Sequence, residues 1–266
     1  MGWLFWAVHV ALAALVLLVP LGGWYWARHR FRLSLKALLA AMLVIGAACG
    51  SLAVFMDSSR RQREAAAALM ARGIGIEYAD EPGLHALIGV EFFESPTLLG
   101  TSFHLDDADW KRVEQLTGLE WLACAGAADA DLAHLRSFRQ LRSLHLVNAR
   151  LTGEGLAILG ELPRLTDLDL YRSKFTDGDL AALETCKWLT FLNLNKTAVR
   201  DAGLRHVSNL KTLPELHLDG TSITDYGLAQ LKSLPALRRL SIKGCPVSDE
   251  AIEQFTDEQP DVVVTH

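Results

Sequence analysis

Residues 213–231, LPELHLDGTSITDYGLAQL, form a unit that recurs along most of this chain. The unit reads as LxxLxL, then a loop, then an apolar residue followed by a small polar residue and Asp, and finally GLxxL. A unit this short cannot bury its own apolar face, so it must stack on neighbours that follow the same pattern. The sequence therefore predicts a repeat architecture in which each unit covers the next.

The first leucine of the unit recurs at a nearly constant spacing. One spacing of 22 residues is followed by four of 24, and the leucines are Leu119, Leu141, Leu165, Leu189, Leu213 and Leu237. An earlier, degenerate copy covers residues 95–118, and the final PDVVVTH (260–266) begins one more strand. We therefore count seven repeats and expect the last strand to close the stack.

Local chemistry supports a strand followed by a helix in each unit. Alternation in LxxLxL puts the leucines on one face of a short strand, and parallel stacking at about 4.8 Å aligns each column. Small polar residues followed by Asp are expected to cap the helix; the pairs are Thr176-Asp177, Thr224-Asp225 and Ser248-Asp249. A glycine just before the helical leucine fits a close backbone turn; the three are Gly155, Gly203 and Gly227.

This pattern resembles the leucine-rich repeat family, in the ITDxGLxxL variant of bacterial leucine-rich repeat proteins and of the arrays in F-box proteins. The match covers about residues 95–258. The resemblance implies an α/β solenoid, which is an arc with a parallel sheet on its concave side and helices outside. No F-box segment is evident, so no role in ubiquitin ligation is implied.

The first 56 residues differ in charge from the rest of the chain. They hold four of the 26 Lys and Arg and none of the 31 Asp and Glu, so residues 57–266 carry 22 cations against 31 acids, a net charge of −9 with His neutral. Such an acidic region argues against a nucleic-acid partner, which needs a basic stripe that faces the phosphates. The four cysteines form no CxxC pair, and we expect Cys124 and Cys186 to be core residues.

Two apolar runs without Asp, Glu, Lys or Arg, 3–26 and 37–56, flank a basic loop at 27–36. Each run is long enough to cross a bilayer, which takes about 20 helical residues. We predict that residues 1–56 form an all-α transmembrane helical hairpin in contact with the lipid bilayer, and the arrangement RFRLSLK, apolar span, RRQRE also resembles bacterial membrane-anchored family members. A cleaved signal peptide is the alternative reading of the first run. The cations of the loop favour a cytoplasmic loop and a repeat domain on the non-cytoplasmic side.

Residues 57–94 read as a helical stalk and an N-terminal cap for the repeat domain at 95–266. Gly73 is expected to end the stalk helix, IGIEY (74–78) to form a short strand, and residues 84–93 to form a short helix followed by an irregular segment that covers the first repeat. Gly46 and Gly50 have the GxxxG spacing that lets helix backbones approach closely. This spacing marks either a homo-oligomer interface or the contact between the two spans.

The candidate binding surface is the solvent side of the predicted sheet, which is the concave side of the arc. It is formed by the residues two, four and six positions after each first leucine, and it is polar and slightly acidic, with two aromatic side chains at its centre. Exposed aromatic side chains among hydrogen-bonding groups suit recognition of a protein or peptide, and a solvated polar surface is the plain alternative. The candidate partner-binding residues are His145, Asp167, Asp169, Tyr171, Phe191, Asn193, Asn195, Glu215, His217 and Asp219.

Chemistry on this surface has a weaker basis in the sequence. His145 and Asp169 fall on adjacent strands and could share a metal ion or act on a small polar ligand, whereas His217 lies about 14 Å from His145 by strand spacing. No Ser or Cys stands beside a His in a recognisable nucleophile arrangement, and no phosphate-binding glycine motif occurs. We therefore expect no catalytic residue, no metal and no cofactor.

The sequence as a whole predicts a membrane-anchored, non-enzymatic module that binds an unidentified protein through its concave face. The alternative is a structural component of the cell envelope that packs by self-association. A small-ligand or metal-dependent activity at His145 and Asp169 is the third hypothesis.

Overall fold

The computed structural model describes residues 35–78 and 96–266, and the chain divides into two compact units, 1–60 and 61–266. In the first unit the described element is the start of helix α1, Leu35–Met70, on which Leu43 and Val44 are at least 69 % exposed. Over the described ranges, no helix combines the length and the apolar character that a membrane span requires. The predicted transmembrane hairpin is thus not confirmed: its second run lies within α1, and its first run lies outside the described residues.

The described residues of the second unit, 61–78 and 96–266, contain one sheet of nine strands whose spatial order is the order of the chain. The strands are β1 Gly75–Tyr78, β2 Pro96–Gly100, β3 Trp121–Ala125, β4 Ser143–Val147, β5 Asp167–Asp169, β6 Phe191–Asn193, β7 Glu215–His217, β8 Arg239–Ser241 and β9 Val263–Thr265. The helices between the strands are α2 Asp107–Val113, α3 Asp129–Leu132, α4 Gly153–Leu159, α5 Asp201–Val207, α6 Asp225–Gln230 and α7 Asp249–Glu258. Among the described connections, 3-10 helices occur at Ala133–Ser137, Asp177–Thr185 and Leu231–Ser233.

The strand register is the one that the leucine spacing predicts. Strands β2 to β9 pair in parallel, and the second leucine of each unit aligns with that of the next, as in the pairs Leu144 with Leu168 and Leu192 with Leu216. Strand β1 pairs antiparallel with β2, which confirms the short strand expected at 74–78, and β9 is the expected closing strand. α1 ends at Met70, shortly before the predicted stop at Gly73, which has a φ of 84°.

The core lies between the leucine face of the sheet and the helical segments. Leucines of both halves of the unit, such as Leu216 and Leu228, are at most 1 % exposed. Cys124 and Cys186 are buried there, as the sequence predicts. Because burial disfavours the thiolate, the pKa of the Cys124 thiol is raised to about 12 and that of Cys186 to about 11.

The turn after each repeat strand from β3 to β8 adopts a left-handed backbone conformation at the same position. Glycine occupies this position at both ends of the array, at residues 126, 220 and 244, with φ between 65° and 71°. In the centre Asn148, Arg172 and Lys196 occupy it, with φ of 55°, 57° and 59°. A non-glycine residue in this region costs on the order of 1 kcal/mol, and Asn tolerates it best. Arg172 and Lys196 are therefore strained positions in consecutive repeats.

Each helical connection begins at a residue whose N–H is accepted by an Asp carboxylate. In three connections the acceptor belongs to the same repeat: Asp109, Asp131 and Asp179 accept from Asp106, Ala128 and Thr176. In the other four the acceptor belongs to the preceding repeat: Asp129, Asp177, Asp201 and Asp225 accept from Thr152, Arg200, Thr224 and Ser248 at 2.7 to 2.9 Å. These carboxylates satisfy an N–H that has no partner within its own helix.

Contacts between repeats explain why glycine and Asp recur at the same positions of the unit. A Cβ atom at Gly155, Gly203 or Gly227 would lie under 3.0 Å from the Asp Oδ1 atom of the preceding repeat, and none of these glycines has a positive φ. The expected close backbone turn is therefore wrong, because the glycine makes room for a neighbouring carboxylate. The expected role of the Asp is also corrected: where this arrangement occurs, Asp binds the start of the next repeat's helix.

Gly153 and Asp179 exchange the two residue types at one junction. Gly153 occupies the position that Asp201 has in its own repeat. Asp179 occupies the position that Gly227 has in its own repeat. The Asp179 carboxylate accepts the Thr176 N–H of its own repeat and the Gly153 N–H of the preceding one, each at 2.7 Å. Burial raises the pKa of Asp179, but hydrogen bonds from the Thr176 hydroxyl and from the two N–H groups outweigh burial and leave the pKa below its usual value. One carboxylate, that of Asp179, therefore binds both N–H groups at this junction.

We expect Gly227→Ala to lower the free energy of unfolding by about 2 kcal/mol or more, because the new methyl group displaces the Asp201 carboxylate from the Thr224 N–H. The matched control is Gly178→Ala, where the nearest atom to an added Cβ is the Thr176 Oγ1 at 3.8 Å. That control should change the free energy by less than about 1 kcal/mol. Chemical denaturation measures both values.

A double-mutant cycle tests the exchange itself. Asp201→Gly combined with Gly227→Asp reproduces the Gly153 and Asp179 arrangement at another junction. The double variant should be more stable than either single variant, since only the double variant retains one carboxylate without a clash. Additive losses would contradict this account of the junction.

Candidate functional site

The ten candidate residues all lie on the side of the sheet that faces away from the core. Seven of them stand on strands β4 to β7, and cross-strand pairs bring His145 beside Asp169 and Asn193 beside His217. Tyr171, Asn195 and Asp219 follow the ends of their strands, at the edge of the same surface. Each of the ten is partly buried rather than fully exposed. We call this surface the concave face.

Two aromatic–histidine pairs stand on the concave face with nearly the same geometry. The rings of Trp121 and His145 are 5.1 Å apart with an interplanar angle of 51°. The rings of Phe191 and His217 are 5.2 Å apart with an angle of 53°. Each pair joins one strand to the next, and the two pairs are three strands apart, about 14 Å. Trp121 was outside the candidate set, although its position in the unit is the same as that of Phe191.

Two carboxylates lie between these pairs, on strand β5. Asp169 Oδ1 accepts the Tyr171 N–H at 2.8 Å, and Asp169 Oδ2 is 3.6 Å from His145 Nδ1. Asp167 Oδ2 accepts a hydrogen bond from the Thr166 hydroxyl at 2.5 Å. Across the described ranges, neither carboxylate has a Lys or Arg partner within 4.0 Å. The middle of the concave face is therefore negatively charged.

The two asparagines support the strand ends next to these carboxylates. The Asn193 side-chain oxygen accepts the Asn195 N–H at 2.9 Å, and the Asn195 side-chain oxygen accepts the Asp219 N–H at 2.5 Å. Both oxygens are thus used to hold the backbone. What the asparagines can offer a partner is their amide N–H groups, since each NH₂ group is a double donor.

The C-terminal end of the concave face contains a shallow depression of about 340 Å³. Glu215, His217 and Asp219 line it together with residues outside the candidate set, which are Arg239, Leu240, Ser241, Lys243, Val263 and Thr265. Glu215 accepts hydrogen bonds from His217 Nε2 at 2.9 Å and from Arg239 Nε at 2.8 Å. Arg239, Ser241 and Lys243 occupy the same outward positions of the unit, so the repeat pattern could have identified them.

Ser143, His145 and Asp169 form an arrangement that corrects the sequence interpretation. The Ser143 Oγ is 3.1 Å from His145 Nε2, so a serine does stand beside a histidine, and the other ring nitrogen faces Asp169. A nucleophilic serine also needs N–H donors for the oxyanion that forms. The Ser143 N–H donates instead to the Glu120 carbonyl at 3.0 Å. Over the described ranges, no three metal-ligating side chains come together.

Comparison with solved structures places this fold among known proteins. An internalin, InlF, from Listeria monocytogenes matches with a TM-score of 0.50 and 18% identity, over 64% of this chain and 47% of that chain. A leucine-rich repeat protein from Leptospira interrogans matches with a TM-score of 0.41 and 18% identity, over 59% of this chain and 45% of that chain. The chain thus spans about half the length of each.

No protein-family model matches the sequence, and no curated protein matches it either. The likeness to the internalin confirms the leucine-rich repeat fold that the LxxLxL units predict. The assignment to the ITDxGLxxL variant stays a prediction.

We expect the contribution of Glu215 to stability to disappear in acid. Burial raises the pKa of Glu215, but hydrogen bonds from Arg239 and His217 outweigh burial and lower the pKa below its usual value of 4.5. A carboxyl with a lowered pKa stabilises the fold above its unfolded-state pKa, and this stabilisation is lost as the pH falls through the folded-state pKa. Glu215→Gln should therefore be destabilising near neutral pH and nearly neutral once the pH has fallen below the lowered pKa of Glu215.

Urea denaturation across this pH range measures the effect. Glu253→Gln is the matched control, because Glu253 is an exposed glutamate on α7. The control should show no comparable pH dependence. An equal loss of stability in Glu215→Gln at all pH values would contradict the assigned ion pair.

Proposed function

We propose that this chain uses its leucine-rich repeat fold as a non-enzymatic module that binds another protein through the concave face. The observation that carries the proposal is the pair of aromatic–histidine contacts, Trp121 with His145 and Phe191 with His217, on a partly buried polar surface. Aromatic side chains that are already held in place anchor protein interfaces at a low cost in conformational entropy. Two such anchors favour recognition over simple solvation.

The spacing of the anchors indicates what kind of contact suits them. An extended chain advances about 3.3 Å per residue, so about four residues cover the 14 Å or so between the two pairs. Asp167 and Asp169 lie between the anchors and favour a hydrogen-bond donor or a cation on the partner. We infer that the partner segment has two apolar side chains, one for each anchor, and a hydrogen-bond donor between them.

The occupied backbone donor at Ser143 supports the non-enzymatic part of the proposal. In acyl transfer, preorganised N–H groups stabilise the oxyanion of the transition state. Here the Ser143 N–H already donates to the Glu120 carbonyl within the sheet. In a binding role, the Ser143 hydroxyl and the His145 ring are hydrogen-bonding groups beside Trp121.

A second candidate function is packing of copies of this chain, as in a structural component of the cell envelope. Helix α1 favours it, because a Cβ atom added at Gly46 or Gly50 would have no heavy atom of residues 35–78 or 96–266 within 4 Å. Leu43 and Val54 on the same helix are at least 72 % exposed. Small residues beside apolar side chains suit helix–helix packing between copies.

Photo-cross-linking separates the two functions. A photoreactive amino acid in place of Phe191 should form an adduct with a distinct protein in cells. The same substitution at Trp188, which is 67 % exposed and lies before the strand of the same repeat, should not. An adduct that contains only a second copy would favour packing, and adducts from position 188 alone would contradict the concave-face proposal.

A triple variant tests the same surface by loss of binding. A variant in which Asp169, Tyr171 and Phe191 are all changed to alanine should lose the adduct that a photoreactive amino acid at position 217 forms. Because these side chains lie outside the core, circular dichroism should show an unchanged fold. A persistent adduct would contradict the assignment of the concave face.

We also propose that residues 1–56 hold the protein at a membrane, with the repeat domain on the non-cytoplasmic side. The support is the basic loop between two uncharged apolar runs and the exposed apolar side chains of α1, such as Leu43 and Val54. The full chain should remain in the membrane pellet after extraction with alkaline carbonate, and a chain that starts at residue 61 should not. Release of the full chain would contradict this proposal.

A further inference from the structure

Four exposed cations line the turns that follow strands β4, β5 and β6. They are Arg150, Arg172, Lys174 and Lys196, and we call them the basic ridge. The region from residue 57 onward has 22 cations against 31 acids, so the ridge is a local reversal of charge. It lies beside the concave face, since Arg172 stacks on the Tyr171 ring at 5.2 Å from its centroid.

Backbone hydrogen bonds fix the spacing of the basic ridge. The Arg172 N–H donates to the Asn195 carbonyl at 3.0 Å, and the Lys196 N–H donates to the Asp219 carbonyl at 2.8 Å. Arg150 and Lys174 face each other across a parallel bridge. Neighbouring turns are therefore one strand spacing apart, about 4.8 Å. The Lys196 side chain extends over the next turn, because a Cβ at Gly220 would lie 2.7 Å from its Nζ.

The basic ridge opposes folding in two ways. Across residues 35–78 and 96–266, none of its four cations forms an ion pair with a carboxylate within 4.0 Å, and their like charges on neighbouring turns repel each other. Arg172 and Lys196 also occupy the left-handed position that glycine fills in three other repeats. Strain that is retained where the same chain uses an unstrained residue elsewhere is typical of functional sites.

We propose that the basic ridge binds an acidic segment of a partner protein in extended conformation. The ridge cations stand on neighbouring turns about 4.8 Å apart, so the carboxylates of one extended acidic segment that crosses these turns can form charge-assisted hydrogen bonds with several of them. A nucleic-acid duplex fits poorly, because a duplex needs a long basic stripe and the ridge spans only three neighbouring turns. The inference is independent of the proposed concave-face binding.

A labelled octaglutamate peptide is the probe, and fluorescence anisotropy with the full-length protein at low salt is the measurement. Arg172→Gly combined with Lys196→Gly should weaken binding about tenfold, because two charge-assisted contacts are lost. The same variant should unfold at an equal or higher temperature, since glycine relieves the left-handed strain. Arg150→Gln with Lys174→Gln should weaken binding to a similar degree.

Matched controls separate the ridge from net charge and from the concave face. Lys187→Gln with Arg205→Gln removes two other exposed cations and should leave the affinity within about twofold. Phe191→Ala should leave octaglutamate binding unchanged even if it abolishes the concave-face adduct. That result would show that the two proposals stand or fall separately.

Three results would overturn the inference. The first is an equal loss of affinity in the control pair, and the second is a clear drop in unfolding temperature when Arg172 and Lys196 become glycine. The third is ridge-dependent binding of phosphatidylglycerol vesicles without ridge-dependent binding of octaglutamate, which would assign the surface to lipid headgroups.

Discussion

The hydrogen bond between an Asp carboxylate and the first N–H of a helical segment is the contact on which the order of this domain depends. Burial of the leucine columns stabilises the stack, but apolar burial has no direction and does not by itself fix how one unit sits on the next. The carboxylate is directional, because it binds one N–H at the start of one helix. Strand pairing then follows in a single register.

The same contact determines which residues the unit can hold. Where Asp reaches the following repeat, the facing helix carries glycine at three of four junctions and Ala251 at the fourth, and where the repeat supplies its own Asp, the preceding position can be glycine. Residues that lie 26 apart in the chain, such as Asp201 and Gly227, therefore act as one element. Neither residue can be interpreted from its own repeat alone.

Much of the fold could be predicted because it depends on a period within the sequence. The spacing of Leu213, Leu216 and Leu218 identifies the strand, its buried face and its register with the neighbours. The roles of Asp201 and Gly227 could not be read in the same way, because they arise between two repeats. The exchange of Gly153 and Asp179 is visible in the sequence, and it indicates that the Asp position of one repeat and the Gly position of the next act as a pair.

The candidate site was predictable in position but not in detail. Alternation places residues such as Phe191 and His217 on the outer face of the sheet, but it does not tell which rings meet. The contact between Ser143 and His145 was not predicted, because it matches no known nucleophile motif. It arises because residues two apart on a strand lie on the same face of the sheet. The strain at Arg172 and Lys196 has no cue in composition, since it depends on the backbone of the turn.

The exchange at Gly153 and Asp179 also limits how such an array can evolve. At a junction of this kind, losing the first Asp before gaining the second avoids placing two carboxylates at one N–H. The first junction departs from this order, because Asp107 and Asp131 stand there together and Asp131 accepts the helix N–H. A duplicated or recombined repeat is therefore accommodated with the least change beside a neighbour of the matching type, so the compatibility of adjacent repeats influences which recombination products fold.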